Sequence, residues 1–180
     1  KHSLVDSEYN TRRKECEKGV SILRKFYPEI KSLRDVSPGQ VTAHKHDLEG
    51  KIFDRCLYVT EEIQRVLQAA EDLEQENLTA FGKKMFETHE GLSKKYEVSC
   101  PELDFLVDQA RHFENVAGAR MMGGGFGGCT INIVEKDFAE RFQNEMRTRY
   151  RVRFSIELET IEVEIEDGTG VVPPRVNLVT

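Results

Sequence analysis

The chain has 180 residues, 38% hydrophobic and 32% charged, and its 26 basic and 32 acidic residues leave a net charge of −6. That length fits one domain with room for a real core, and an acidic balance speaks against a nucleic-acid surface. No apolar run approaches the roughly 18–20 residues needed to cross a bilayer, so no membrane partner is expected. The four cysteines, Cys16, Cys56, Cys100 and Cys129, are widely spaced with no C-x-x-C pair. This predicts reduced thiols in a cytoplasmic protein, and neither a zinc knuckle nor a disulfide scaffold. The chain opens on Lys1 with no signal-peptide pattern, as expected of part of a longer protein.

The first two-thirds read as helices. From Ser7 to about Tyr27, the residues Tyr9, Cys16, Val20, Leu23 and Tyr27 lie close to one helical stripe. Ser37-Pro38-Gly39 reads as a turn or a short helix start, with proline where a missing N–H costs least. The strongest pattern runs from Lys51 to about Glu76. There Ile52, Cys56, Val59, Ile63, Val66, Ala70 and Leu73 step by four and three, while Phe53, Leu57 and Leu67 widen the stripe. A further helix from Leu78 to Tyr96 turns Phe81, Met85, Leu92 and Tyr96 inward. Ser99 and Glu102 have capping-box spacing around Pro101, which announces another helix with Leu103, Leu106, Val107, Ala110 and Ala117 facing the core.

After Gly118 the period changes. Thr130–Val134 is β-branched and reads as a strand, and Asp137 with Glu140 caps a helix whose stripe is Phe138, Phe142, Met146 and Tyr150. Val152, Phe154, Ile156 and Leu158 then alternate as in a strand, and Ile161, Val163 and Ile165 alternate in the opposite phase. A bulge or break is therefore expected near Glu159-Thr160. Glu157, Glu159, Glu162, Glu164 and Glu166 form a solvated face, since these acids have no accompanying histidine for a metal. The tail 171–180, with Pro173-Pro174, is expected to be loosely held. These elements predict a single α+β domain over 1–180, with several helices packed on a small antiparallel sheet.

Glycine fills every position but one in Gly123-Gly124-Gly125-Phe126-Gly127-Gly128. The run formally matches the dinucleotide fingerprint, but that motif needs a helix after its last glycine, and a strand follows here. Without a terminal G-K-[ST] it is no P-loop, and without the V-A-I-K, H-R-D and D-F-G signatures it is no protein-kinase lid. Two physical readings remain open. The glycines permit close backbone approach and an anion-binding concavity, with Phe126 as an anchor, or they form a flexible hairpin tip. Among other polar residues, Arg120 fits an internal ion pair better than a phosphate contact. His44 and His46 are too few for a metal site, and His89 fits a hydrogen-bonded position among the helices.

Three stretches together resemble the galactokinase branch of the GHMP small-molecule kinases. Ala119-Arg120-Met121-Met122 with the glycines and Cys129 is similar to the third conserved motif of that family. Lys1-His2-Ser3-Leu4, Ser7-Glu8-Tyr9-Asn10 and Arg12–Glu17 resemble the segment that opens the second half of galactokinases. His89-Glu90-Gly91-Leu92 followed by Tyr96–Asp104 is similar to another of their signatures. Met122 and Gly124 stand where many relatives have threonine and alanine, and Asp6 where a serine is common.

The resemblance implies a ferredoxin-like C-terminal lobe of a two-lobed enzyme that phosphorylates galactose at its anomeric hydroxyl with ATP and Mg2+. It also implies that Tyr9 contacts the sugar and that Gly123 to Gly128 shape the phosphate site. The catalytic groups and metal ligands would then sit on a missing N-terminal lobe, leaving no catalytic or metal residue here. This segment alone is expected to be inactive and to bind no cofactor tightly, with apolar surface exposed where the lobes meet. Two alternatives keep the likeness but change the role: a catalytically inert sugar sensor acting through a protein partner, or a kinase for a related sugar such as N-acetylgalactosamine.

Overall fold

A computed structural model describes the backbone of residues 2–164 and the side chains from Glu8 onward. Its helices are α1 (His2–Leu23), α2 (Pro38–Ala43), α3 (Lys51–Glu74), α4 (Leu78–Lys94), α5 (Pro101–Ala110) and α6 (Ala139–Phe154). Short 3-10 turns occupy Leu33–Asp35 and Lys136–Phe138. The strands β1 (Val116–Met122) and β2 (Cys129–Val134) pair antiparallel, with Met122 opposite Cys129 and Arg120 opposite Ile131. This is the expected α+β arrangement of helices on a small antiparallel sheet, and the glycine run is the loop joining its two strands.

Local chemistry sets most boundaries. Ser37 caps α2 in a reciprocal box with Gln40 and places Pro38 in the first turn. At α5 the expected cap moves by one residue. Cys100, with extended backbone, is the N-cap, and Ser99 keeps a buried hydroxyl without a hydrogen-bond partner. Asp137 likewise falls inside the 3-10 turn, and Phe138 precedes α6 without a side-chain cap.

The alternating stretch from Val152 does not form the expected strand. α6 continues through Phe154, because Phe154 also extends the four-residue stripe of Phe142, Met146 and Tyr150. Its ring meets Tyr150 at 4.9 Å and Phe105 at 5.3 Å between centroids. Ser155 then ends the helix in the left-handed region at φ 57. Residues 156–164 carry no strand pairing; Ile165, Glu166 and the tail 171–180 lie outside the described residues.

Two apolar clusters and a smaller third hold the fold. Leu23, Ile30, Leu33, Val36, Val41, Leu48 and Cys56 join α1, α2 and α3. Leu106, Val107, Ala110, Val116, Ala119, Phe142, Met146 and Tyr150 join α5, the sheet and α6. Between them, Val98, Leu103 and Met121 form the patch under the glycine loop, with Phe126 packed against it. The sheet lies close to α4 because Gly82 and Gly118 meet backbone to backbone. A Cβ on Gly82 would stand 1.9 Å from the Ala117 carbonyl oxygen, so neither position has room for a side chain.

Candidate functional site

The glycine loop is anchored on one side and open on the other. The Phe126 N–H donates to the Val98 carbonyl at 2.7 Å, and the Phe126 ring packs on Val98, Leu103 and Met121. A Cβ on Gly125 would lie 2.1 Å from the same carbonyl oxygen, at φ +87, so this glycine is required both by space and by conformation. By contrast, a Cβ on Gly123, Gly124 or Gly127 would meet nothing within 4 Å. At Gly124 the backbone also lies outside the left-handed region, so nothing in this chain demands its small size.

The stem of the loop is held from α4. His89, 4% exposed, accepts the Met121 N–H on Nδ1 at 3.1 Å. That bond requires an unprotonated Nδ1, so the proton sits on Nε2, which faces Asp104 Oδ1 at 3.1 Å in poor hydrogen-bond alignment. Burial lowers the His89 pKa, outweighing the pull of Asp104, and favours this neutral form. Ser93 donates to the other Asp104 oxygen at 2.9 Å. His89 therefore occupies the hydrogen-bonded position read from the sequence. Arg120 does not meet its expectation: among the described residues no carboxylate pairs with it, and Nη1 reaches only the Met121 carbonyl at 3.3 Å.

Where α1, α3 and segment 95–97 meet lies an ionic cluster that sequence reasoning missed. Arg55 is fully buried on α3, where it donates to Glu15 at 3.0 Å, to Glu97 at 2.7 Å and to the Lys95 carbonyl. Burial works against its charge, yet the hydrogen bonds to Glu97 and Glu15 more than offset this and raise its pKa. Hydrogen bonds from Lys51 and Arg55 hold the Glu97 carboxyl down to about 2. One signal was available: an arginine adjacent to Cys56, on the face that the helical stripe buries.

Tyr9 is 59% exposed on α1 and lines an open groove with Arg13, Val59, Ile63 and Tyr96. The glycine loop is not part of that groove, so the structure leaves the two sequence-derived sites apart; segment 95–98 reaches both, with Tyr96 lining the groove and the Val98 carbonyl accepting from Phe126. His44 is engaged otherwise, with Nδ1 at 3.1 Å from Asp47, Nε2 at 3.2 Å from the Tyr27 hydroxyl, and its ring stacked on Phe26. Among the described residues no three His, Cys, Asp or Glu converge as metal ligands. No helix among them is long and apolar enough to cross a membrane.

Residues 69–152 match the family model described as GHMP kinases C terminal. The chain is 42% identical over 171 residues to a galactokinase of Thermotoga maritima, covering 93% of this chain and 45% of that protein. A galactokinase of Roseiflexus sp. is 41% identical over 148 residues, covering 82% of this chain and 38% of the relative. Among solved structures, Lactococcus lactis galactokinase complexed with galactose superposes with a TM-score of 0.78 at 30% identity, over 84% of this chain and 39% of that one. The chain thus spans less than half the length of each of these relatives.

Proposed function

We propose that this chain, whose residues 69–152 match the GHMP kinases C-terminal model and which resembles galactokinases over most of its length, is the sugar-contacting, site-shaping half of an ATP-dependent galactose kinase. In that enzyme the anomeric hydroxyl oxygen of galactose bonds to the γ-phosphorus of ATP, and the bond to the ADP oxygen breaks. The hydroxyl proton passes to a base outside these residues. Positioning and charge neutralisation dominate such transfers, and magnesium supplies part of that neutralisation when bound. The ligands for the metal and the catalytic base are assigned to the N-terminal lobe, as the family resemblance implies.

Two roles fall to this chain. Tyr9 offers its exposed phenol to the sugar, and Gly123, Gly124, Gly125, Phe126, Gly127 and Gly128 shape the phosphate side of the site. The observation that carries this reading is the loop's asymmetry. Phe126 and Gly125 bind it to Val98, while the outward positions at Gly123, Gly124 and Gly127 leave bare backbone for a facing loop. The whole protein is read as cytoplasmic, consistent with the free thiols of Cys16, Cys56, Cys100 and Cys129.

The test is an assay of the full-length protein with galactose, ATP and Mg2+. Formation of the anomeric phosphate is expected, Tyr9→Phe should raise the KM for galactose several-fold, and the present chain alone should show no turnover. Sugar and ATP binding without turnover would favour the sensor role, and faster turnover of N-acetylgalactosamine would change the substrate. Galactose-dependent ATP turnover by this chain alone would refute the division of labour.

A further inference from the structure

Four successive carbonyls between α4 and α5 are each taken by a donor from a distant part of the chain. Arg55 donates to the Lys95 carbonyl, Arg12 Nε to the Tyr96 carbonyl at 2.7 Å, and Arg12 Nη2 to the Glu97 carbonyl at 3.0 Å. The fourth carbonyl, that of Val98, accepts the Phe126 N–H of the glycine loop and stands against Gly125. Glu97 is the bend in this segment, at φ +53, and its carboxylate is held by Lys51 and Arg55. Segment 95–98 is therefore clamped by α1 and α3 on one side and carries the glycine loop on the other.

Arg12 is the member of the clamp that lies on α1, the helix that carries Tyr9. It is 7% exposed, with Glu15 at 3.4 Å and Glu8 at 3.5 Å as ion-pair partners. It also lies three residues after Tyr9 on α1, so the two side chains emerge about one helical turn apart. A planar guanidinium can hold adjacent carbonyls at fixed geometry, which a flexible ammonium does not reproduce.

We infer that Arg12 is a positioning residue, coupling the helix that carries Tyr9 to the glycine loop, with residues 95–98 as the rigid link. A displacement of α1 at the sugar then moves the Val98 carbonyl and with it the loop. The catalytic consequence rests on the kinase reading; the mechanical link does not.

The link can be measured in this chain without any substrate. Arg12→Lys keeps the charge beside Glu8 and Glu15 but loses the planar fork, and Arg12→Met loses both. Amide hydrogen exchange at Phe126 should accelerate at least ten-fold in each variant, while Met146 and Tyr150 of α6 keep their original rates. Unchanged protection at Phe126, or equal acceleration throughout α6, would overturn the inference. If Arg12→Met does not fold, Arg12→Lys decides the question. The reverse probe is Gly125→Ala, whose methyl pushes on the Val98 carbonyl and should shift the Arg12 Nε–H resonance; an unmoved resonance counts against the link. In the full-length protein, Arg12→Lys should lower kcat about ten-fold. Should the wild type prove to have no sugar kinase activity, the kinase reading falls and the exchange results still stand or fail by themselves.

Discussion

One apolar stripe runs the length of α3, yet its two halves live in different surroundings. In the first half Arg55 and Cys56 are 0% exposed, Thr60 1% and Tyr58 5%. In the second half the same steps of three and four continue, but Val66 is 59% exposed, Leu67 64% and Leu73 51%. α1 and segment 95–98 close over the first half. α4 runs beside the second, tied by the Thr88 hydroxyl to Glu62 at 2.8 Å and by Lys84 to Asp72, and leaves its outer side to water. The difference teaches that periodicity identifies a face without saying what covers it. The covered half even buries an arginine, because Glu15, Glu97 and a carbonyl meet its charge there.

Breaking the covered half should cost most. Arg55→Ala removes the cation from Glu15 and the Lys95 carbonyl, and a loss of about 3 kcal/mol is expected in urea unfolding. That is the low end for a broken buried pair, because Glu97 keeps Lys51 and some solvent. A loss below about 1 kcal/mol would mean that packing alone seals this end.

A smaller effect follows from pH. The folded-state pKa of Glu97, about 2, lies below the ordinary carboxyl value. The ionised folded form is therefore favoured, and this contribution is complete above the unfolded pKa of roughly 4.3 and lost as pH falls towards 2. Stability measured between pH 5 and 3 should decline less steeply in Glu97→Gln than in the original chain. Parallel curves would remove Glu97 from the account of the covered half.

The smallest change is expected at the uncovered half. Leu67→Lys should alter unfolding of this chain by no more than about 0.5 kcal/mol, since its side chain already faces water. A larger loss that grows with protein concentration would show that copies of the chain cover this face by association.

Much of the architecture was legible because it is local. The reciprocal cap of Ser37 and Gln40, the start of α3 at Lys51 and the β-branched strand β2 each depend on neighbouring residues. The stretch after Tyr150 was misread because Phe154 satisfies two periods at once. Stacking on Phe105 and Tyr150, remote from the alternation itself, favoured the helix. The candidate site was legible in its residues, Tyr9 and the glycines, and illegible in its supports. Arg12, Arg55 and Glu97 lie far apart in the chain, and no spacing rule joins 12 to 97 or 98 to 126.

The sequence by itself determined most of the helices of the first two-thirds, which residues form the loop between the strands, and which family the chain resembles. Backbone conformation and apolar periodicity are written in adjacent residues. Only the tertiary structure decided which stripe is covered, which arginine is buried, and that Gly125 is needed for contact with Val98 while a Cβ at Gly124 would meet nothing within 4 Å. Those outcomes depend on which distant groups arrive within a few ångströms, where desolvation, ion pairing and close packing take effect.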